Sequence, residues 1–508
     1  MRRWLSIVVV LAVLVLNIHA QESKLGRVEF PTSGSAKAQA PFLRGLAALH
    51  SFWYEEALDA FRESTKIDPD FAMGYWGEAM TYNHPLWSEQ DLTAARAVVA
   101  KFKETPKLTE RERAYLNAVR LLYGEGDKHA RDTAYSAAME KIYRAYPDDL
   151  DAAAFYSLSL LGLTGGEKGY RLQAKAGAIA LEVYRKNPNH PGAAHYIIHA
   201  FDDPDHAILA LPAARRYASI APGAHHAQHM PSHIFLQLGM WPEAAASNEA
   251  AWESSDAWMK RKNLPVSVRD YHSLHWLLYV YLQQGRNDDA EKLLNLMKKV
   301  MSESTYDNKL RPGYYENNYA NMAAAFVVET ERWNLADELF PENKAPVTSE
   351  QTSMTGSHGS HNSGATLRTS SASVTLPSFV RGLAAAVNGS DVSQFITALQ
   401  AARSPNSEIF ELEILGLSAS MKKDHEKAIE LMKRATSLEE ATNAPYGPPS
   451  LIKPSHELFG EILLRAGKSA EAAEQFKIAL LRQPNRARSL SGLARATDKH
   501  GSANTDPR

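Results

Sequence analysis

One pattern of small, aromatic and proline residues occurs twice in the chain, 415 residues apart. The first copy consists of Gly45, Ala57, Phe61, Ser64 and Pro69, and the second of Gly460, Ala472, Phe476, Ala479 and Pro484. A partial third copy consists of Gly416, Ala428, Met432 and Ala435. Small residues let two antiparallel helices approach closely, the aromatic ring fills the gap, and proline stops the second helix. The chain is therefore expected to consist of repeated pairs of antiparallel helices.

The repeat length identifies the kind of helix pair. Pro188 and Pro222 in the middle of the chain are 34 residues apart, and the whole pattern resembles the tetratricopeptide repeat (TPR), whose period is about 34 residues. The resemblance covers most of the chain. It implies an all-α, right-handed superhelical solenoid of antiparallel helix pairs. It also implies that one face of each first helix lines a concave groove, where a protein or peptide ligand would bind.

The 508 residues are too many for one compact core, so two or more units are expected. Apolar residues recur at three- and four-residue steps in most segments, as amphipathic helices require. The exception is 341–378, which is rich in Ser, Thr, Gly and Asn and is predicted to be a flexible linker. It divides an N-terminal TPR-like array, 21–340, from C-terminal TPR-like repeats, 379–508.

The N-terminus has the features of a secretory signal peptide. Arg2 and Arg3 precede an apolar run from Leu5 to Leu16, and Ala20 ends the small-residue region behind it. Cleavage of residues 1–20 would leave a periplasmic or secreted protein without stable membrane insertion. An uncleaved N-terminal anchor is the alternative, although the run is short for a bilayer span.

Charge and cysteine content narrow the range of partners. The formal net charge of −2 gives no electrostatic reason to expect nucleic acid or an anionic membrane as a partner. The chain has no cysteine, so it can form neither a disulfide nor a thiolate metal site.

Histidines are concentrated in one region and follow the repeat. Ten of the 19 histidines lie between His190 and His275. The small residues Ala210, Ala244 and Ala290 mark equivalent positions in three second helices, and a histidine stands 15 residues before each of them. Because equivalent positions of neighbouring repeats stack, the imidazoles are expected to converge on one patch of the concave face. The predicted metal ligands are His195, His199, His226, His229, His233 and His272, with His275, Asp202 and Asp203.

Imidazoles one helical turn apart can share a metal ion. Without sulfur ligands the ion would be a divalent transition metal such as Zn, Cu, Ni or Fe. The alternative is a hydrogen-bonded histidine network that ties the repeats together or binds an acidic partner. Pro231 complicates the pattern, because it lies between His229 and His233 and must either kink the helix or mark its start. In the second case His225, His226 and His229 would lie on the entering loop.

A second aromatic segment is a candidate for the groove. Its residues are Trp76, His84 and Trp87, and His225 is a further candidate; ordinary aromatic packing is the alternative for the first three. The segment 75–87 and the segment 190–200 also resemble a group of exported bacterial TPR proteins. That resemblance implies the fold and export and leaves the chemistry open.

The sequence therefore predicts an exported TPR-type binding scaffold with a transition-metal site on its concave face. The alternatives are a metal-dependent hydrolase or oxidase of the cell envelope, and a metal capture or delivery protein. Neither a His-Glu-x-x-His motif nor a Gly-x-Ser-x-Gly motif occurs, so no catalytic residue is assigned.

Overall fold

The computed structural model describes residues 24–166, 169–303, 313–341 and 366–498. The predicted signal peptide, 1–20, lies outside the described residues. The chain forms two compact units. The first comprises Met1–Ile234 and Ala246–Pro265, and the second comprises Phe235–Ala245 and Val266–Arg508.

The first unit is built from consecutive helices. They are α1 (Ala36–His50), α2 (Tyr54–Ile67), α3 (Ala72–Met80), α4 (Leu92–Val99), α5 (Glu110–Leu122), α6 (Lys128–Ala145), α7 (Leu150–Gly162), α8 (Arg171–Lys186), α9 (Pro191–Ala200), α10 (Ala207–Ile220) and α11 (His225–His229). Two further helices contain residues of both units: α12 (Pro231–Gln237) and α13 (Trp241–Lys262).

The second unit continues in the same way. Its helices are α14 (Tyr271–Gln283), α15 (Asn287–Glu303), α16 (Tyr314–Thr330), α17 (Ala336–Leu339), α18 (Thr366–Val387), α19 (Ser393–Ala402), α20 (Ser407–Met421), α21 (His425–Glu440), α22 (Ser455–Arg465), α23 (Ser469–Arg482) and α24 (Ala487–Thr497). Consecutive helices pack against each other, as in α1 with α2 and α22 with α23. None of the described helices is long and apolar enough to cross a membrane.

The repeated glycines explain how the helices of a pair approach. A Cβ atom on Gly45 of α1 would lie 2.9 Å from the ring of Phe61 on α2, and one on Gly77 of α3 would lie 2.3 Å from the same ring. In the second unit Phe476 stands in the same relation to Gly460 and Gly492, at 2.8 and 2.3 Å. The predicted all-α array of TPR-like helix pairs is thus confirmed, because the glycines make room for the buried aromatic ring.

One short hairpin interrupts the helices where the sequence shows no strand pattern. Asn83–His84 (β1) pairs antiparallel with Glu89–Gln90 (β2), with Asn83 opposite Gln90. Pro85–Trp87 forms a 3-10 turn between the two strands. The hairpin fixes the positions of His84 and Trp87, two of the candidate groove residues.

The predicted linker is described only at its ends. Residues 342–365 lie outside the described residues. Helix α18 begins at Thr366, so the last part of the predicted linker is helical. Leu376, Phe379, Val380 and Leu383 are buried on that helix, and this apolar face accounts for the helix reaching into the polar segment.

The second unit contains a buried ionic cluster. The Arg486 guanidinium is fully buried and lies 2.8 Å from Glu457 and 2.6 Å from Glu329. Lys453 adds a second cation within 3.0 Å of Glu457. Although burial alone would raise it, the pKa of the Glu457 carboxyl is lowered by these cations. The cluster joins α16, α22 and α24.

Candidate metal centre

Helix α9 places two histidines one turn apart. Pro191 occupies its first position, where a missing N–H costs nothing. His190 caps the helix, since its Nδ1 accepts from the backbone N–H of Ala193 at 3.2 Å. The helix then carries His195 and His199 on one face, and their Nε2 atoms are 3.1 Å apart.

The other nitrogen of His195 is held by the backbone. Its Nδ1 lies 2.7 Å from the carbonyl oxygen of His50 at the end of α1. A carbonyl oxygen can only accept, so Nδ1 carries the proton. The Nε2 atom of the neutral ring therefore presents its lone pair toward His199. A hydrogen bond of this kind orients the ring in many protein metal sites.

A third imidazole comes from α11. The ligand atoms of His195, His199 and His226 all lie within 4.8 Å of one another. The Nε2 of His226 is buried and has no hydrogen-bond partner among the described residues. A buried polar atom of this kind is costly unless something binds it. With this nitrogen, the three imidazoles form a candidate metal site.

Burial keeps these rings neutral. Desolvation lowers the pKa of the His195 imidazole to about 3. Desolvation, together with the neighbouring His195 and His229, holds the pKa of His226 well below its ordinary value. Neutral imidazole is the form that binds a metal. His195 and His226 are therefore in the form that can bind a metal at neutral pH.

A second histidine pair adjoins the first within the same unit. His229 and His233 have their Nε2 atoms 3.1 Å apart. The His229 Nδ1 lies 2.6 Å from the Asn248 side-chain oxygen, and the His233 Nδ1 lies 2.5 Å from Asp202 Oδ2. The rings of His199 and His233 have their centroids 5.6 Å apart, so the two pairs are neighbours.

Pro231 interrupts the helix between His229 and His233. One helix ends at His229 and the next begins at Pro231, while Met230 between them keeps a helical conformation. Pro231 therefore marks the start of a helix, as one of the two expectations had it. The preceding residues His225–His229 form a short helix and not a loop. The near-helical path still brings His229 and His233 one turn apart.

The cluster is enclosed, although an open groove surface was expected. His195 and His229 are 0% exposed, and His233 is 7% exposed. Phe52 covers the first triad, with its ring centroid 4.3 Å from His195, and it has a left-handed backbone with φ of 53°. Trp87 adds a ring 5.6 Å from Phe52 and 6.2 Å from His226. An apolar shell of this kind limits the access of water.

The carboxylates proposed as ligands have other partners. Asp202 supports His233 through the contact described above. Asp203 instead binds His206, at 2.8 Å from its Nδ1, and accepts from the backbone N–H of the same residue. Helix α10 starts directly after His206. An acidic side chain is favourable just before a helix, because it accepts hydrogen bonds from backbone N–H groups there.

The candidate groove residues separate into two groups. Trp87 contacts the histidine cluster, and His225 packs against Trp53 at 5.8 Å between ring centroids. Trp76, in contrast, is 1% exposed and packs among core aromatic rings. His84 stacks on a tyrosine ring and lies 3.1 Å from Glu89 of the hairpin.

Two further predicted ligands lie on α14 of the second unit. His272 is half-buried and packs against Trp276, with ring centroids 5.5 Å apart. His275 is three residues further along the same helix. Burial lowers the pKa of its imidazole to about 4, which keeps the ring neutral at ordinary pH.

A buried network behind the centre was missed by sequence reasoning. Asp151 Oδ1 accepts from His50 Nε2 at 2.8 Å and from His190 Nε2 at 3.4 Å, and all three residues are buried. Although burial alone would raise it, these two donors lower the pKa of the Asp151 carboxyl. The His50 Nδ1 meets the Tyr196 hydroxyl at 2.9 Å. The network thus fixes His50, whose backbone carbonyl orients His195.

One weak signal for this network is present in the sequence, where Tyr196 directly follows His195.

No protein-family model and no curated protein matches the chain. Among solved structures it is similar to the APC/C hetero-tetramer Cut9–Hcn1, at 12% identity and a TM-score of 0.39 over 96% of this chain and 82% of that one. Yeast Tom70 shows 10% identity and a TM-score of 0.33, over 90% of this chain and 88% of Tom70. The P58(IPK) TPR domain shows 12% identity and a TM-score of 0.20, over 91% of this chain and 97% of that domain. These likenesses are weak. The helix pairs show the fold alone: an all-α array of tetratricopeptide-like helix pairs.

Proposed function

We propose that this protein is a TPR-type scaffold whose first unit binds a transition-metal ion through His195, His199 and His226. The observation that carries the proposal is the close approach of the three imidazoles, each of which has a ring nitrogen within 4.8 Å of the others. The buried Nε2 of His226, which has no hydrogen-bond partner among the described residues, supports it. Burial lowers the pKa of His195 and His226, so a charged ring at either position is unfavourable. A bound metal ion accepts the lone pairs of these nitrogens and leaves the rings neutral.

The donor set narrows the choice of ion. Three imidazole nitrogens, with no thiolate in the chain, suit Zn, Cu(II), Ni or Fe(II) better than Mg or Ca, which prefer oxygen ligands. The distance of 3.1 Å between the Nε2 atoms of His195 and His199 agrees with shared coordination. Two nitrogens on one ion at the usual bond lengths are about 3.3 Å apart in tetrahedral and about 2.9 Å apart in square-planar geometry.

A metal-dependent enzyme is the second candidate. Catalytic ions commonly have three protein ligands and one open position, whereas structural zinc sites are closed by four. The triad supplies three nitrogens, so a water molecule or a substrate atom could complete the coordination. The chemistry would then be metal-assisted hydrolysis or oxidation. The apolar cover formed by Phe52 and Trp87 suits such a site, since it limits the access of bulk water.

The sequence and the class of fold support a proposal for the location and the partner. The charged start and apolar run of residues 1–20 support export to the periplasm or the medium. The helix-pair array offers extended surfaces suited to a protein or peptide ligand. Capture and delivery of the metal in the envelope is a further use of the same site.

Metal retention tests the proposal. Protein made without a polyhistidine tag is dialysed against buffer and analysed by elemental mass spectrometry. The wild type should keep a transition metal, and the double variant H195A/H199A should lose the ion of this triad. Since the replaced rings are buried, His226→Gln provides a milder second variant, which keeps the side-chain volume nearly constant and removes the Nε2 ligand.

The control is His129→Ala, which removes an exposed histidine of α6 and should leave the metal content unchanged. Far-UV circular dichroism checks that each variant keeps its helices. Wild-type protein without metal that also takes up none on titration would refute the proposal. Full retention by folded H195A/H199A and by His226→Gln would show that the ion lies elsewhere.

A further inference from the structure

The proton positions around His229 and His233 require an explanation of their own. The Nδ1 of His233 faces a carboxylate oxygen of Asp202 at 2.5 Å, and the Nδ1 of His229 faces the side-chain oxygen of Asn248 at 2.6 Å. Ser232 Oγ also lies 3.4 Å from that Asn248 oxygen and can donate to it, which supports the orientation of the amide. Both Nδ1 atoms therefore carry protons.

Two lone pairs then face each other across the pair. With both Nδ1 atoms protonated, each neutral ring has its lone pair on Nε2, and these atoms are 3.1 Å apart. His229 is 0% exposed and His233 is 7% exposed, so bulk water does not screen the repulsion. A metal ion that accepts both lone pairs would replace this repulsion with two coordination bonds.

The surroundings of the pair have the form of a metal site. The Nε2 separation lies between the values for two nitrogens on a square-planar and on a tetrahedral ion, about 2.9 and about 3.3 Å. A histidine ligand usually donates its other N–H to a carboxylate, an amide or a backbone carbonyl. Asp202 and Asn248 have this role for His233 and His229, as the His50 carbonyl has for His195.

We infer that His229 and His233 bind a second transition-metal ion through their Nε2 atoms, next to the ion of the first triad. This inference rests on the proposed function for the neighbouring ion. The ring centroids of His226 and His229 are 5.9 Å apart and those of His199 and His233 are 5.6 Å apart. The sites take the same nitrogen-preferring metals, Zn, Cu(II), Ni or Fe(II).

Metal stoichiometry tests this inference. Metal-free protein is titrated with Co²⁺, whose absorption bands report tetrahedral nitrogen coordination, and bound metal is counted by elemental mass spectrometry. Wild type and the control His129→Ala should bind two equivalents. The double variants H229A/H233A and H195A/H199A should each bind one. Asp202→Asn, which keeps the side-chain shape, should weaken one of the two binding steps by about 10- to 100-fold and leave the other unchanged.

The outcomes separate the two proposals. One equivalent in the wild type, kept by H229A/H233A and lost by H195A/H199A, would overturn the second ion and leave the proposed function standing. No binding by the wild type would overturn both. If the wild type binds two equivalents, folded H229A/H233A also binds two, and Asp202→Asn changes neither binding step, the second ion binds elsewhere. A shared proton between the rings would then be the better account of the pair.

Discussion

Acid should destabilise the metal-free protein through its buried histidines. Burial lowers the pKa of His195 to about 3 and holds that of His226 well below its ordinary value. In the unfolded chain both rings would titrate near 6.5. Below that pH the unfolded state takes up protons that the folded state does not, so the free energy of unfolding falls as pH falls. The loss ends only when the pH reaches the low pKa of the folded state.

The size of this effect can be worked out for a convenient pH range. Between pH 7.5 and 5.5 a histidine that stays neutral in the folded protein lowers the free energy of unfolding by about 1.4 kcal/mol. His195 and His226 together contribute about 3 kcal/mol, and both are buried. His275, whose pKa is also lowered by burial, adds to the loss in the same direction. With a urea dependence of about 3 kcal/mol per molar, the unfolding midpoint should fall by about 1 M or more.

The assay is urea unfolding of metal-free protein followed by far-UV circular dichroism at the two pH values. Acidic residues also titrate in this range, so the difference between variants isolates the histidines. His226→Gln should reduce the pH-dependent change by about 1.4 kcal/mol, and His129→Ala should leave it as in the wild type. An unchanged midpoint in the wild type, or an equal shift in His226→Gln, would refute the assignment of buried neutral rings.

Three further predictions test the support of the centre and the packing. Asp151→Asn weakens the acceptor that holds His50, so metal affinity measured by competition titration should fall about tenfold or more; unchanged affinity would contradict a positioning role. Gly77→Ala puts a Cβ atom 2.3 Å from the ring of Phe61 and should cost about 1–3 kcal/mol in urea unfolding, whereas a neutral effect would contradict the tight helix contact. Arg486→Met leaves two buried carboxylates without their guanidinium and should cost about 3–5 kcal/mol in the same assay; a more stable variant would show that the cluster does not stabilise the fold.

The fold could be predicted because its repeat has a local physical cause. Gly45, Phe61 and Gly77 lie within 32 residues of each other, and their sizes alone require two close helix contacts around one ring. The same holds for Gly460 and Phe476. The hairpin at Asn83 could not be predicted in this way, because strands of two residues are too short to show an alternating pattern.

The candidate site could be predicted in part. The pairs His195 with His199 and His229 with His233 follow from helical spacing, and the structure brings their Nε2 atoms to 3.1 Å. The enclosure of His195 could not be predicted, since Phe52 reaches it from a turn more than 140 residues away in the sequence.

The hydrogen-bonded network of Asp151, His50 and His190 could not be predicted from the sequence either. Asp151 lies 101 residues from His50 and 39 from His190, and no spacing rule connects three helices so far apart. Asp203 has a local contact instead. It binds His206, only three residues away, where the next helix begins.

The most direct test of the account is the metal content of the untagged protein after dialysis, measured by elemental mass spectrometry. Wild-type protein should retain a single kind of transition metal at one or more equivalents, and His226→Gln should retain at least one equivalent less. Wild-type protein that holds no metal and takes up none on titration would contradict the account. The buried histidines would then form a hydrogen-bonded network that joins the helices of the scaffold.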